Sequence, residues 1–219
     1  MKIAGFKKQS LIDYPGNISS VVFTQGCNFR CGFCHNPNLV LPEKYETCYN
    51  EEDLFSYWKK YQHLLDAVCI TGGEPCIHKD LPDFIARIKQ LGLKVKLDSN
   101  GTNPDMLKHL LKSKLIDSIA MDIKHILNIE HYNSSVGQIL SQQNFNHILK
   151  SIKLIEESQI EFEFRTTVAK GLHTIEQIKS LNNRFSPSYS IQNFKPAVTL
   201  SESHHYQAWS LDELKEMSL

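Results

Sequence analysis

The sequence predicts an α/β fold, a partial (β/α)6 barrel, on three observations. Apolar strand-like runs alternate with stretches of helical periodicity along most of the 219 residues. The alternation gives six βα units, fewer than the eight of a closed barrel, and parallel units joined by right-handed crossovers then build an incomplete one. The polar motifs fall at the carboxyl ends of the strand-like runs, where parallel α/β folds gather their functional groups.

The elements follow in order. Ile18 to Thr24 is a β-rich run that leads into a cysteine-rich loop, and Glu51 to about Leu65 has the period of a helix. Ala67 to Thr71 is a short apolar strand ending in Thr71-Gly72-Gly73-Glu74-Pro75, followed by a helix from Leu81 to about Leu91. Lys94 to Asp98 is the third strand, ending in Asp98-Ser99-Asn100-Gly101, with a helix from Pro104 to Lys112 behind it. Ser118 to Asp122 is the fourth, ending in Asp122-Ile123-Lys124, and Asn144 to Ser158 is helical in period. Ile160 to Val168 alternates as a strand and carries Arg165-Thr166-Thr167 near its end. Thr174 to Asn183 is a helix, and Ser190 to Phe194, with Gln192 and Asn193, is a last short strand. His125 to Gln143 is the least patterned stretch and reads as a loop or lid. The whole reads as a single domain over residues 1–219, with a short N-terminal extension at about 1–17 and a C-terminal tail at about 197–219.

Lysine plus arginine equals aspartate plus glutamate at 24 each, so no overall basic field draws the chain to nucleic acid or an anionic membrane. Met1 to Ser10 lacks a continuous apolar core of the signal-peptide kind, and no run reaches the roughly 18 apolar residues of a membrane span. The expected setting is cytoplasmic. Six cysteines without a secretion signal then point to metal or redox chemistry rather than to a disulfide framework.

Three of them stand in Cys27-Asn28-Phe29-Arg30-Cys31-Gly32-Phe33-Cys34, spaced C-x3-C-x2-C. A four-iron cluster is usually held by four thiolates and this loop offers three, which leaves one iron open to a small molecule. The spacing alone does not exclude zinc. The other motifs each have a plain reading when taken singly: Gly72-Gly73-Glu74-Pro75 as a surface turn, Asp98-Ser99-Asn100-Gly101 as a turn with a helix cap, Asp122 and Lys124 as an exposed ion pair, Arg165 as structural. Their shared position at strand ends makes them site candidates. Cys48, Cys69 and Cys76 show no second cluster motif; Cys69 reads as core, and Cys76 follows the glycine turn. His35 reads either as a hydrogen-bonding neighbour of the cluster or as an exposed loop residue. His204 and His205 sit in a polar tail, and Trp58 and Trp209 read as packing residues.

With Phe33 before its last cysteine, the run resembles the hallmark of the radical S-adenosylmethionine superfamily, and so the barrel is expected to be of the radical SAM type. Cys34-His35-Asn36-Pro37, Gly72-Gly73-Glu74-Pro75, Asp98-Ser99-Asn100-Gly101 and Asp122-Ile123-Lys124 look like the branch that activates glycyl radical enzymes. Ser10-Leu11-Ile12-Asp13-Tyr14-Pro15-Gly16 and the short length look most like the activating proteins of anaerobic ribonucleoside-triphosphate reductase. The resemblance runs from about Lys2 to Pro196. It implies a [4Fe–4S] cluster on Cys27, Cys31 and Cys34, with the amino and carboxylate groups of S-adenosylmethionine on the fourth iron. It further implies that Gly72, Gly73 and Glu74 face the methionine amino group, and that Asp98, Ser99, Asn100 and Asp122 help to hold the cofactor and a monovalent cation. Lys124, Arg165 and Gln192 match positions near the cofactor, Arg165 suiting a carboxylate. The activity implied is reductive cleavage of S-adenosylmethionine to a 5′-deoxyadenosyl radical that takes hydrogen from a glycine of the partner enzyme, with flavodoxin or ferredoxin as electron donor. The alternatives are a radical enzyme acting on a small molecule or peptide, and a non-catalytic iron–sulfur carrier or zinc-stabilised module.

Overall fold

Apolar runs in the predicted order form one seven-stranded sheet in a computed structural model that describes residues 1–201 and 206–218. The strands lie side by side in chain order: β1 (Ile3–Ser10), β2 (Ser19–Thr24), β3 (Ala67–Gly72), β4 (Lys94–Ser99), β5 (Ser118–Asp122), β6 (Glu161–Val168) and β7 (Tyr189–Asn193). Neighbours from β2 to β7 are parallel, while β1 runs antiparallel to β2. Among the described residues β7 does not pair with β1, so the six parallel strands form the expected partial barrel.

The register gives the sheet two chemically different faces. Val22, Val68, Ile70, Val95, Leu97, Ile119, Met121 and Phe164 form one face, fully buried in the apolar core. After the short α1 (Pro37–Val40) that follows the cysteine loop, the stripes of α2 (Glu51–Tyr61), α3 (Leu81–Gln90), α4 (Pro104–Lys112), α6 (Gln142–Glu156) and α7 (Ile175–Phe185) pack against it, represented by Trp58, Phe84, Leu107, Ile148 and Leu181. Each large side chain so buried contributes about 1.5–3 kcal/mol. The alternate residues line the other, inner face: Cys69 pairs with Lys96, Asp98 with Ala120, Asp122 with Arg165, and Thr167 with Gln192. Closed barrels fill this interior with branched apolar residues, whereas here it is markedly polar. Cys69 is fully buried, as a core reading expects, but it faces this interior beside Lys96 and Asp98 and not the helix layer.

Several parts of the chain differ from expectation. Within the N-terminal extension, residues 3–10 add β1, an edge strand whose middle, Lys7-Lys8-Gln9, is solvent-exposed and therefore carries little apolar signal. The stretch expected to be a loop or lid holds α5 (Ile129–Val136), capped by the Asn128 side chain and packed through buried Tyr132 and Val136. The C-terminal tail holds α8 (Leu211–Met217), closed at its start by a reciprocal Ser210–Glu213 capping box. The helix from Glu51 ends at Tyr61 rather than Leu65, because the chain turns at Gln62 to Leu64 and inserts Leu65 into the core. His204 and His205 lie outside the described residues.

Tyr14, almost fully buried, closes the amino-terminal end of the barrel together with Pro15, against Lys96, Ser118 and Glu161. The opposite end, where β2 to β6 finish, is open.

Candidate active site

The cysteine loop leaves β2 and is held in place from three sides. Asn28 bonds to Asn100 (2.9 Å) and Thr102 (2.8 Å) beyond β4. From the α5 side, the Gln138 amide donates to the Asn28 carbonyl (2.9 Å) and the Val136 carbonyl accepts from Arg30 N (2.9 Å). The tail lies along the third side, with Leu200 N donating to Cys34 O (2.9 Å) and Ser201 N to Gly32 O (3.0 Å). Phe29 and Phe33 bury their rings beneath the loop. His35 is exposed, stacks on Phe194 at 5.2 Å and lies 2.8 Å from the Lys195 carbonyl.

Cys27, Cys31 and Cys34 border one cavity of about 210 Å³. Burial pushes the Cys27 thiol up to about 11, partly countered by the Phe29 amide, and pushes the Cys31 thiol up to about 12. Such thiols stay neutral until a metal displaces their protons. Among the described residues, no three histidine, cysteine, aspartate or glutamate side chains converge as a single-ion site requires, whereas the three thiols surround a shared volume suited to a larger cluster.

The far wall comes from four strand ends. Gly72 and Gly73 have no side chains because the backbone at the end of β2 and just beyond it passes there: a Cβ on Gly72, whose φ is +115°, would sit 2.4 Å from Thr24 N, and one on Gly73 1.9 Å from Gly26 O. Gly73 N and Glu74 N donate to Thr24 O and Gly26 O, which fixes the turn against the base of the cysteine loop. The buried Glu74 carboxylate accepts from Cys76 N (3.0 Å), Ser99 Oγ (2.8 Å) and Asn100 N (2.7 Å), joining the ends of β3 and β4. Burial raises its pKa against the pull of these bonds. Cys76, also buried, lies 3.5 Å from Ser99 Oγ beneath this staple.

A chain of alternating charges runs up the inner face. Lys96 Nζ lies 3.0 Å from Asp98, Arg165 lies 3.2 Å from Asp98 and 3.0 Å from Asp122, and Lys124 Nζ lies 2.9 Å from Asp122. Burial alone would raise the Asp122 carboxyl, but Lys124 and Arg165 outweigh it and hold it at about 2. Burial likewise opposes the charges of Lys124 and Arg165, and their carboxylate partners raise both pKa values well above the ordinary range. Behind this chain, His173 lies 3.1 Å from the Lys124 carbonyl, and the Tyr132 hydroxyl accepts from Lys124 N (3.1 Å).

Of the residues singled out in the sequence, Cys27, Cys31, Cys34, Gly72, Gly73, Glu74, Asp98, Ser99, Asn100, Asp122 and Lys124 all line the one cavity. Arg165 stands just behind it, with Nε on Asp122 and Nη2 on Asp98 and Asp122. Gln192 is exposed on the inner face beside Thr167 and outside the cavity lining, since β7 is the open edge of the barrel. Sequence reasoning missed Lys96, for which the available signal was its place two residues before Asp98, on the same face of β4; Thr167 was named only within its strand-end motif.

The residues from 21 to 181 match the Radical SAM superfamily, and the chain belongs to it. The superfamily implies a [4Fe–4S] cluster and S-adenosylmethionine, which the three thiols and the polar wall opposite them fit. Within it the chain falls in the branch that activates glycyl radical enzymes. A Methanocaldococcus jannaschii protein named as an activating enzyme of this kind is 35% identical over 208 residues, 91% of this chain and 82% of that protein. The pyruvate formate-lyase-activating enzyme of Listeria monocytogenes is 30% identical over 68% of this chain, which spans only 63% of that enzyme. Among solved structures, Streptococcus suis SuiB bound to S-adenosylmethionine superposes with a TM-score of 0.65 at 19% identity, over 87% of this chain and 43% of SuiB. A radical SAM methyltransferase from Sphaerobacter thermophilus does so at 0.69 and 13%, over 93% and 63%. At such identities these two speak for the fold.

Proposed function

We propose that this protein activates a glycyl radical enzyme, that the enzyme is an anaerobic ribonucleoside-triphosphate reductase, and that it works in the cytoplasm with flavodoxin or ferredoxin as electron donor. The observation that carries the reading is the meeting of three thiols and the polar ends of β3, β4 and β5 on one open cavity. A reduced cluster held by these thiols would supply the one-electron reductive cleavage of S-adenosylmethionine, and with it the means to remove hydrogen from a glycine Cα of the partner.

This chain's residues bind, orient and shield. Cys27, Cys31 and Cys34 hold the cluster. Glu74, already bound by three donors, acts by fixing the Gly72–Gly73 turn and the Ser99–Asn100 backbone around the methionine end of the cofactor. Asp98, Asp122, Lys124 and Arg165 present a pre-set arrangement of charge, which costs no reorganisation when the cofactor docks. Ser99 and Asn100 shape the adjoining wall, and Gln192 stands at the rim of the open edge. That edge suits a macromolecular substrate, because a partner's glycine loop must enter the mouth. No described helix is long and apolar enough to cross a membrane.

The partner assignment rests on the likeness of Ser10 to Gly16, and the relatives named as pyruvate formate-lyase-activating enzymes supply the competing partner. The test is anaerobic. The reconstituted, reduced protein receives S-adenosylmethionine and either purified reductase or pyruvate formate-lyase. 5′-Deoxyadenosine is measured by chromatography and the glycyl radical by electron paramagnetic resonance. A radical on the reductase alone is expected. A radical on the lyase alone would reassign the partner, and no cleavage by a fully loaded protein would remove the catalytic reading.

A further inference from the structure

All four carboxylate oxygens of Asp98 and Asp122 already carry a cationic donor. Asp98 Oδ1 takes Lys96 Nζ (3.0 Å) and its Oδ2 takes Arg165 (3.2 Å). Asp122 Oδ1 takes Arg165 (3.0 Å) and its Oδ2 takes Lys124 (2.9 Å). Three positive groups thus serve two negative ones, and the cluster has no negative charge left to offer. Ser99 is committed as well: its hydroxyl donates to Glu74 Oε1 (2.8 Å) and accepts from Gly101 N (3.1 Å). The monovalent cation that the family resemblance places among Asp98, Ser99 and Asp122 would meet an ammonium or a guanidinium at every carboxylate oxygen and an engaged hydroxyl at Ser99.

Lys96 makes the difference. It stands two residues before Asp98 on β4, so both side chains project from the same face, and its side chain is only 7% exposed. Its ammonium comes to Asp98 from the closed end of the barrel, opposite the cavity. There it has a second partner, the Asp13 carbonyl at 2.7 Å, from the segment that plugs that end. The Lys7 ammonium and the Ser10 hydroxyl hold the Asp13 side chain in turn, so the segment is fixed where it meets Lys96.

We propose that the Lys96 ammonium is a covalently held counter-ion for Asp98, positioned by the Asp13 carbonyl, and that it replaces a free monovalent cation beside the S-adenosylmethionine site. Lys96 is a positioning residue: it touches neither cofactor nor cluster and sets the charge and orientation of Asp98, and through it of Arg165. This gives the Ser10–Gly16 segment a physical task, the support of the cofactor site from below. The inference rests on the reading of this cavity as the S-adenosylmethionine site.

The test measures S-adenosylmethionine affinity by equilibrium dialysis on the cluster-loaded protein, in potassium, sodium or tetramethylammonium chloride at equal ionic strength. Wild-type affinities should agree within about twofold across the three salts. Lys96→Met should bind roughly tenfold more weakly in tetramethylammonium and recover most of the loss in potassium or sodium, ions small enough to enter the vacated place. A wild-type protein that needs potassium or sodium overturns the proposal. So does a loaded Lys96→Met protein that binds as wild type in tetramethylammonium, or one whose loss no small cation restores. If Lys96→Met does not load its cluster, Lys96→Gln takes its place, and the wild-type comparison decides by itself. Absence of binding by the loaded wild type in every salt would instead remove the cofactor reading of the cavity, and this inference with it.

Discussion

Glu74 shows how one side chain acquires its role from its partners. The sequence places it after two glycines, where an acceptor for the methionine ammonium is a natural reading. The structure spends its oxygens on Cys76 N, Asn100 N and Ser99 Oγ. Glu74→Gln keeps the shape but turns one of these oxygens into a donor, which then faces another donor in a buried place. An unsatisfied buried group of that kind costs about 1–3 kcal/mol, so the variant should melt several degrees below wild type even without its cluster. Thermal unfolding followed by circular dichroism checks this; an unchanged midpoint in the cluster-free protein would return Glu74 to a direct contact with cofactor. The three cysteines, Asp98 and Asp122 were legible because their chemistry is carried by residue type and by position at a strand end. Lys96 was not, since its meaning depends on Asp13, 83 residues away in sequence. The same holds for the glycines: lack of a side chain is visible in the sequence, but that the space is taken by Gly26 O is visible only in three dimensions.

At the scale of elements, the parallel strands and the helices behind them were legible because period and turn residues are local, and Pro104–Lys112 and Ser118–Asp122 fall where the periodicity puts them. The edge strand β1, α5 and α8 were not, because each is short or polar and is stabilised by what it packs against. Helix α5 supports the site directly. It ends at Gly137, whose φ of +66° and 2.0 Å separation between a built Cβ and Arg30 O leave no space for a side chain. Gly137→Ala should cost at least about 1–2 kcal/mol from the backbone conformation alone and should push the cysteine loop out of place. The expected result is less iron retained per protein after desalting, measured against wild type; full retention with an unchanged melting point would show that the loop does not depend on α5. The same helix carries His131, which stacks on His125, and His125 in turn packs on His173. Burial first, then the positive form of His173, lowers His125 to about 4, and burial lowers His173 also. The unfolded chain takes up these protons near pH 6.5 and the folded chain only further down, so stability falls as pH drops from 6.5 toward 4. For His125 the loss approaches about 3 kcal/mol. Urea unfolding of the cluster-free protein across that range should show it, with a shallower decline in His125→Gln; parallel curves for the two proteins would remove the assignment.

For the molecule as a whole, cohesion is unevenly distributed. The helix-facing side of β2 to β6 is a continuous apolar core, whereas the inner face is held by ion pairs and the mouth by hydrogen bonds from elements far apart in sequence. The cysteine loop receives two bonds each from the residues beyond β4, from α5 with Gln138 and from the tail, and burial keeps its Cys27 and Cys31 thiols neutral until a metal takes their protons. Isolated backbone bonds near solvent open with much smaller free energies than core strands do. A cluster bound by all three thiols would tie these contacts together, because binding free energy is then returned as local stability. Hydrogen exchange of the loaded and cluster-free proteins should therefore differ by region. The amides of Arg30, Cys34, Leu200 and Ser201 are expected to exchange at least about tenfold faster without the cluster, while those of β3, β4 and β5 change little. Equal acceleration throughout would mean that the cluster holds the fold and not only the mouth. No acceleration at the loop and tail would mean that protein contacts alone set the cysteine geometry, and the α5 and tail contacts would then be the first to vary by mutation.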